Sequence, residues 1–304
     1  MSQSTNNILF IGSKSSGLEL LKVIHKTTEK LSVITFDDSE DIRTRLSEFK
    51  EFTSENNIPL YIAKSRSDSE ISIKAISPDI CFVMGWYWIF SEDILNSVPN
   101  GFIGIHYSLL PKYRGFSPLV WSVINGESES GFSIFSMSTG MDEGDIWLQK
   151  KISIGKDEYI NEIMERFEKE VVSSFSELLP EILNGTAKPL PQDHSQASFT
   201  TKRTPESGKI DWNKSSKEIY NFIRAQSDPY PGAFTFFNGS KIVIKKAELT
   251  NEDKKAFPGE VLEVNSTGVK VQCGDKTIIL KEFEMNGSKG TAEDFFTSIN
   301  IKLT

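Results

Sequence analysis

The sequence predicts an α/β fold: a doubly wound parallel sheet in the first part of the chain, followed by a smaller β-rich domain. Three observations carry this. Short apolar runs alternate with helix-period segments from Ile8 to Gly85, as βαβ units around a parallel sheet do. Near Asn184 the pattern breaks into a polar, proline-bearing stretch, Gly185-Thr186-Ala187-Lys188-Pro189-Leu190-Pro191-Gln192-Asp193-His194, which reads as a linker or surface excursion. Beyond it, short strand patterns are separated by glycine turns, as in a small barrel of the oligonucleotide-binding type. The expected boundaries are a first domain over residues 1–185, a linker over 186–201 and a β-rich domain over 202–304.

The elements follow in order. Ile8-Leu9-Phe10-Ile11 is a continuous apolar run ending at Gly12, a strand buried on both faces. Leu18, Leu20, Leu21, Val23 and Ile24 follow at helical spacing. Ser32 to Phe36 reads as the second strand, residues 40–56 as a polar helix, and Pro59 to Ile62 as the third strand. Ile71, Ala75 and Ile76 mark another helix, and Asp79 to Gly85 the fourth strand. Gly12 and Gly17 lack the three-glycine dinucleotide fingerprint, although Asp37 stands where a ribose-binding acid would. A plain strand-to-helix turn is the favoured reading.

Trp86-Tyr87-Trp88-Ile89-Phe90 then puts aromatic residues at the carboxyl end of a strand, where α/β sheets bind ligands. The cluster suits a wall for a flat heterocycle, and equally aromatic core packing. Gly101 to His106 is the next strand, with His106 at its end. Ser117 to Asn125 is a helix with Ser117 as N-cap and Pro118 in its first turn. Phe132 to Ser136 is a strand, Met141 to Gly144 a loop, and Ile146 to Ile154 an edge strand. Ile163, Phe167, Val171, Phe175, Leu178 and Leu179 share one face of a long helix. In the last third, a helix over 216–225 precedes strands at Ala233–Phe237, Lys241–Ala247, Val261–Val264, Val269–Cys273 and Thr277–Phe283.

At 304 residues the chain can bury a sizeable core. Its formal charge of −8 argues against general affinity for nucleic acid. From Lys202 onward there are 16 Lys+Arg against 14 Asp+Glu, net +2; the remainder carries 18 against 28, net −10. Cys81 and Cys273 lie far apart in apolar or strand patterns, so both read as reduced structural thiols in a cytoplasmic protein. Met1 to Asn7 lacks the features of a signal peptide. No apolar stretch approaches the roughly 20 residues that span a bilayer, so no membrane partner is expected. His25, His106 and His194 are isolated, and neither cysteine has a partner at ligand spacing, so no metal is expected. His194 reads as solvated.

The chemistry concentrates between Gly104 and Asp145. His106 is followed by Tyr107-Ser108-Leu109-Leu110-Pro111, a loop stiffened by Pro111. Lys112, Tyr113 and Arg114 sit beside it, suited to an anionic ligand. Downstream, Asp142 lies in a loop that Gly140 and Gly144 relax. A carboxylate near an imidazole favours its charged form and fixes its orientation. Taken alone, His106 reads equally well as a buried, hydrogen-bonded histidine.

These motifs resemble the 10-formyltetrahydrofolate-dependent formyltransferases. His106 with Ser108-Leu109-Leu110-Pro111-Lys112-Tyr113-Arg114-Gly115 is similar to their histidine loop. Met141-Asp142-Glu143-Gly144-Asp145-Ile146 is similar to their aspartate loop. Gly208-Lys209-Ile210-Asp211-Trp212, Ile223-Arg224-Ala225 and Pro229-Tyr230-Pro231-Gly232-Ala233-Phe234-Thr235 resemble the second domain of the two-domain members. The similarity runs from Ile8 to about Ala292. It implies a Rossmann-like formyltransferase domain, 10-formyltetrahydrofolate as co-substrate, and His106 and Asp142 as the catalytic pair. It also implies a pterin site at Trp88, Ile89 and Phe90, with Ser108 and Leu109, and with Ser138, Thr139, Gly140 and Met141 over the other edge.

One position departs from the family. Its usual motif is Asn-x-His, and here Gly104 holds the asparagine's place. That asparagine donates to the formyl oxygen as charge builds; losing such a donor costs about 2.7–4 kcal/mol. Three acceptor readings follow. A nucleotide-linked amino sugar would put Lys112 and Arg114 near the diphosphate and Tyr113 or Trp121 near the sugar or base. The aminoacyl end of initiator tRNA would call for a basic footprint, which the acidic chain lacks. A folate-binding or hydrolytic paralogue would transfer to no amine. A homodimer is left open.

Overall fold

The computed structural model describes residues 6–253, 256–296 and 301–304. The chain forms two compact units, each drawn from three stretches. The first takes the chain up to Gly115, Gly131–Ile152 and Arg166–Thr200; the second takes Phe116–Ser130, Ser153–Glu165 and the chain from Thr201.

The first unit is built on a seven-stranded sheet. Its strands are β1 (Ile8–Gly12), β2 (Leu31–Phe36), β3 (Leu60–Ala63), β4 (Ile80–Met84), β5 (Phe102–His106), β7 (Glu129–Ser136) and β8 (Ile146–Ser153), in the spatial order β3-β2-β1-β4-β5-β7-β8. A short β6 (Arg114–Gly115) stands apart from it. β1 pairs in parallel with both β2 and β4, and β4 with β5, whereas β7 runs antiparallel to β5. β1 and β4, at the centre of the sheet, are runs buried on both faces: all five residues of each are buried. The order reverses between β1 and β4, so the carboxyl ends of these two strands border the crevice in which doubly wound sheets hold ligands, and β5 lies next to β4.

The helices of this unit are α1 (Lys14–His25), α2 (Leu46–Glu55), α3 (Arg66–Ile76), α4 (Glu92–Ser97) and most of α6 (Ile160–Leu183). The apolar face read from the sequence of α6 is its buried face: Ile163, Phe167, Val171, Phe175 and Leu179 are at most 1% exposed. Burying each such side chain contributes about 1.5–3 kcal/mol. α2 begins six residues later than its polar pattern suggested, because the preceding stretch is tied by charge. Lys14 binds Asp38 and Asp41, Arg43 also binds Asp41, and Thr44 donates to Asp38. The acid at the end of β2 is thus occupied by Lys14, while exposed Asp37 accepts from the Ser39 N–H.

The second unit carries an antiparallel sheet, β10 (Ala233–Phe237), β11 (Ser240–Leu249), β14 (Thr277–Met285), β13 (Gly268–Gln272) and β12 (Val261–Asn265), in that order, with β15 (Ser288–Gly290) paired to β14. Residues 301–304 join its two edges. Thr304 exchanges hydrogen bonds with Phe236 of β10, while Leu303 and Ile301 bond to Gly259 and Val261 at the start of β12. The sheet therefore closes as a barrel. Helix α7 (Ser216–Gln226) packs its apolar face into that core, starting from a capping box in which Ser215 and Glu218 bond each other's backbone N–H. β15 and helix α8 (Ala292–Phe295) are elements the sequence patterns did not flag. Helix α5 (Pro118–Ile124) also belongs to this unit. Ser117 stands at the cap position but at φ 51° makes no side-chain cap bond, and the helix starts on Pro118.

Candidate active site

His106 ends β5 and is 8% exposed. Its Nε2 lies 2.8 Å from the Tyr113 carbonyl oxygen. A carbonyl only accepts, so Nε2 carries the hydrogen, and Nδ1 of the neutral ring carries the lone pair. That Nδ1 faces Asp142 Oδ2 at 3.6 Å. The distance exceeds a hydrogen bond, so the carboxylate stands ready to balance charge on the ring without taking its proton.

Both loops are held by polar contacts made far along the chain. Ser133, fully buried on β7, accepts from the Leu110 N–H (3.1 Å) and donates to the Ser108 carbonyl (2.8 Å). Gln149 donates to the Leu110 carbonyl and to Ser133. The Ser108 hydroxyl donates to the Lys112 carbonyl. Ser198 accepts from the Tyr113 N–H at 2.9 Å, and β9 (Phe199–Thr200) pairs in parallel with β6.

The acid loop is set against this frame. Asp142 sits at φ 49° and Tyr113 at φ 57°, a left-handed conformation that non-glycine residues hold only where surroundings dictate it. Asp142 Oδ2 accepts from the Gly115 N–H at 2.7 Å. Gly115 has φ 103°, and a Cβ there would lie 2.6 Å from the Thr200 carbonyl oxygen, so glycine alone fits. Gln192, 6% exposed, donates to the carbonyls of Asp142 (2.8 Å) and Gly144 (2.7 Å). Its side-chain oxygen accepts from Arg114 Nε and Nη2 at 3.2 and 2.6 Å.

The other expected residues divide. Arg114, which the sequence placed near a diphosphate, is 3% exposed, its guanidinium taken by Gln192 and by His194 Nδ1 at 3.0 Å. Lys112 is exposed and Tyr113 half-buried. Trp121 lies in the second unit, where its indole N–H donates to the Thr201 carbonyl and Arg203 stacks on its ring. Phe90 is buried against Trp86 and Phe102, Trp88 meets Trp86 edge-on, and Ile89 is 68% exposed. Trp86 Nε1 is buried without a hydrogen-bond partner. Leu109 is half-buried; Ser138, Thr139 and Met141 are exposed, and the Glu143 carboxylate lies over Gly140. Gln192, Ser198, Ser133 and Gln149 are site residues that sequence reasoning missed. Gln192 and Ser198 lie in the stretch expected to be a linker.

Gly104 shares the face of β5 that carries His106. A Cβ there would lie 3.2 Å from the Phe135 ring and 3.3 Å from Met137 Cγ, so two apolar side chains border the place of the family's asparagine.

The fold and the two motif loops define a formyl-transfer protein. The family model described as formyl transferase matches residues 6–179, and the one for the formyl transferase C-terminal domain matches 202–300. The chain belongs to this family, and it is a formyltransferase. Among its relatives is the methionyl-tRNA formyltransferase of Ruminiclostridium cellulolyticum, 32% identical over 290 residues, or 93% of each chain. Among solved structures, the N-formyltransferase of Helicobacter canadensis in complex with folinic acid and dTDP-3-aminofucose is 21% identical; the match covers 91% of this chain and 99% of that one, with a TM-score of 0.71. HypX from Aquifex aeolicus in complex with tetrahydrofolic acid is 19% identical with a TM-score of 0.68. That match covers 96% of this chain, which spans about half the length of HypX (47%). At these identities the structural matches speak for the fold.

Proposed function

We propose that the chain moves a formyl group from 10-formyltetrahydrofolate to the amine of a nucleotide-linked 4-amino-4,6-dideoxy sugar, a precursor of surface polysaccharide, in the cytoplasm. The observation that carries the chemistry is the contact of His106 Nε2 with the Tyr113 carbonyl. With Nε2–H committed to the Tyr113 carbonyl, the Nδ1 lone pair is available to take the proton that the attacking amine sheds. Asp142, 3.6 Å away, then stabilises the imidazolium. The donor supplies an electrophilic formyl carbon.

The residues near the end of β4 fit a flat heterocycle. Trp88 and Ile89 offer an aromatic and aliphatic wall with buried Phe90 in the core beside it, and the orphaned Trp86 N–H is a buried donor that a ring acceptor would satisfy. Leu109 on one side, with Ser138, Thr139, Gly140 and Met141 on the other, completes the proposed folate surface; Ser108, expected there from the sequence, is fully buried and its hydroxyl holds the Lys112 carbonyl instead. Lys112 and Tyr113 remain as proposed contacts to the acceptor.

The sugar reading draws on charge: the chain carries −8 overall, and residues 202–304 only +2, a poor match for a polyanion. Similarity to methionyl-tRNA formyltransferases over nearly the whole chain favours the second reading, the aminoacyl end of initiator tRNA. Formyl transfer measured to a thymidine diphosphate amino sugar and to charged initiator tRNA separates the two. Activity on the tRNA alone overturns the sugar assignment, and folate binding without transfer to either amine overturns both.

A further inference from the structure

We infer that Gln192 is a positioning residue for formyl transfer, clamping the acid loop so that Asp142 faces His106. The inference rests on the reading of His106 and Asp142 as the catalytic pair. Gln192 uses every polar atom of its amide on that site. Its nitrogen donates to the Asp142 and Gly144 carbonyls, at 2.8 and 2.7 Å, and its oxygen accepts twice from the Arg114 guanidinium. The side chain is 6% exposed, so no water stands in for these partners without a rearrangement.

The clamp has a direction. Asp142 is a left-handed residue whose carboxylate accepts from the Gly115 N–H. Holding the carbonyls on either side of Glu143 fixes the loop's height, and thereby the 3.6 Å separation from His106 Nδ1. Arg114 anchors the clamp to the histidine loop: it follows Tyr113, whose carbonyl sets the His106 tautomer, and its own guanidinium is buried. One amide thus ties the loop whose carbonyl accepts from His106 Nε2 to the loop that carries the carboxylate. Positioning errors near 1 Å cost on the order of 100-fold in rate.

The test is a double-mutant cycle in the full chain. Gln192→Glu keeps an acceptor for Arg114 but turns a carboxylate oxygen toward two carbonyls. Gln192→Met keeps the volume and removes every bond. Both are expected to lower kcat about 10- to 100-fold with little change in KM for the folate, and to have almost no further effect in an Asp142→Asn background. The 15N signals of the His106 ring are expected to move in Gln192→Glu in the direction they move in Asp142→Asn, a readout that needs no acceptor substrate. Effects of Gln192 that multiply with those of Asp142, or His106 signals untouched by Gln192→Glu in a folded protein, overturn the inference. Transfer undiminished in Asp142→Asn alone overturns the catalytic pair instead, which keeps the two failures apart.

Discussion

Replacing Gly104 by asparagine asks whether the apolar border of the site limits its turnover. Gly104 lies two residues before His106 on the same face of β5, opposite Phe135 on β7. The new Cβ would meet a Phe135 ring carbon at 3.2 Å and Met137 Cγ at 3.3 Å. Both are side-chain atoms, and methionine is unbranched and adaptable, so a shift of a few tenths of an ångström relieves the crowding. The backbone of Gly104 lies outside the left-handed region, so asparagine adds no strain there. Removing a glycine from a strand interior returns about 0.5–1 kcal/mol. Against this near-neutral stability change stands the added donor, worth about 2.7–4 kcal/mol at a developing oxyanion, or roughly 100- to 1000-fold in rate. Because the contact strengthens in the transition state, kcat should rise with KM nearly constant. Single-turnover transfer to whichever acceptor the wild type uses, with thermal melts alongside, is the assay. Gly104→Asn/Met137→Ala provides extra room. If both variants fold as the parent does and neither exceeds its rate, Gly104 leaves no gap in the machinery.

Three further outcomes are expected. His106→Asn and Asp142→Asn should each reduce transfer by about 100- to 10,000-fold while circular dichroism stays unchanged. Ser133→Ala leaves the buried Leu110 N–H without its acceptor; urea unfolding should show a loss of about 1–3 kcal/mol. The Arg43 guanidinium, with Lys14 beside it, holds the Asp41 carboxyl well below its ordinary 3.8. Its folded value is depressed, so its contribution to stability is complete above about pH 3.8 and is lost as pH falls toward the folded value. Asp41→Asn should flatten that part of the acid limb in denaturation curves taken from pH 5 downward, and an unchanged limb would refute the assignment.

The sheet and the long helix were legible because burial writes a period into the sequence. The face of α6 from Ile163 to Leu179 is a 3.6-residue stripe, and β1 and β4 are unbroken apolar runs. That His106 and Asp142 come together was legible from two short motifs at a family's spacing. The supports were not, since polar side chains that satisfy distant backbone groups follow no period. Gln192 is 78 residues from Arg114 and 50 from Asp142; Ser198 is 85 from Tyr113. Arg114 misled for the same reason. Within Lys112-Tyr113-Arg114 it reads as surface charge, and only the partner far downstream takes it inside. Ser117 had the right residue type for a cap but the wrong backbone, which depends on the turn before Pro118.

The interleaving of the two units along the chain bears on how such a protein can be cut, fused or recombined. A cassette ending at residue 185 would lack Gln192, Ser198 and Thr200, and with them the bonds that hold both loops of the first unit. A cassette beginning at 202 would fare no better. Arg224 of α7 is 2% exposed and donates to the carbonyls of Gly155 and Glu158, which that piece omits. Its guanidinium would lose both carbonyl acceptors and keep the Asn221 side-chain oxygen. Division at the composition break therefore yields two fragments that each lack bonds made in the whole chain, and exchange of the second unit among relatives would have to carry residues 116–130 and 153–165 along.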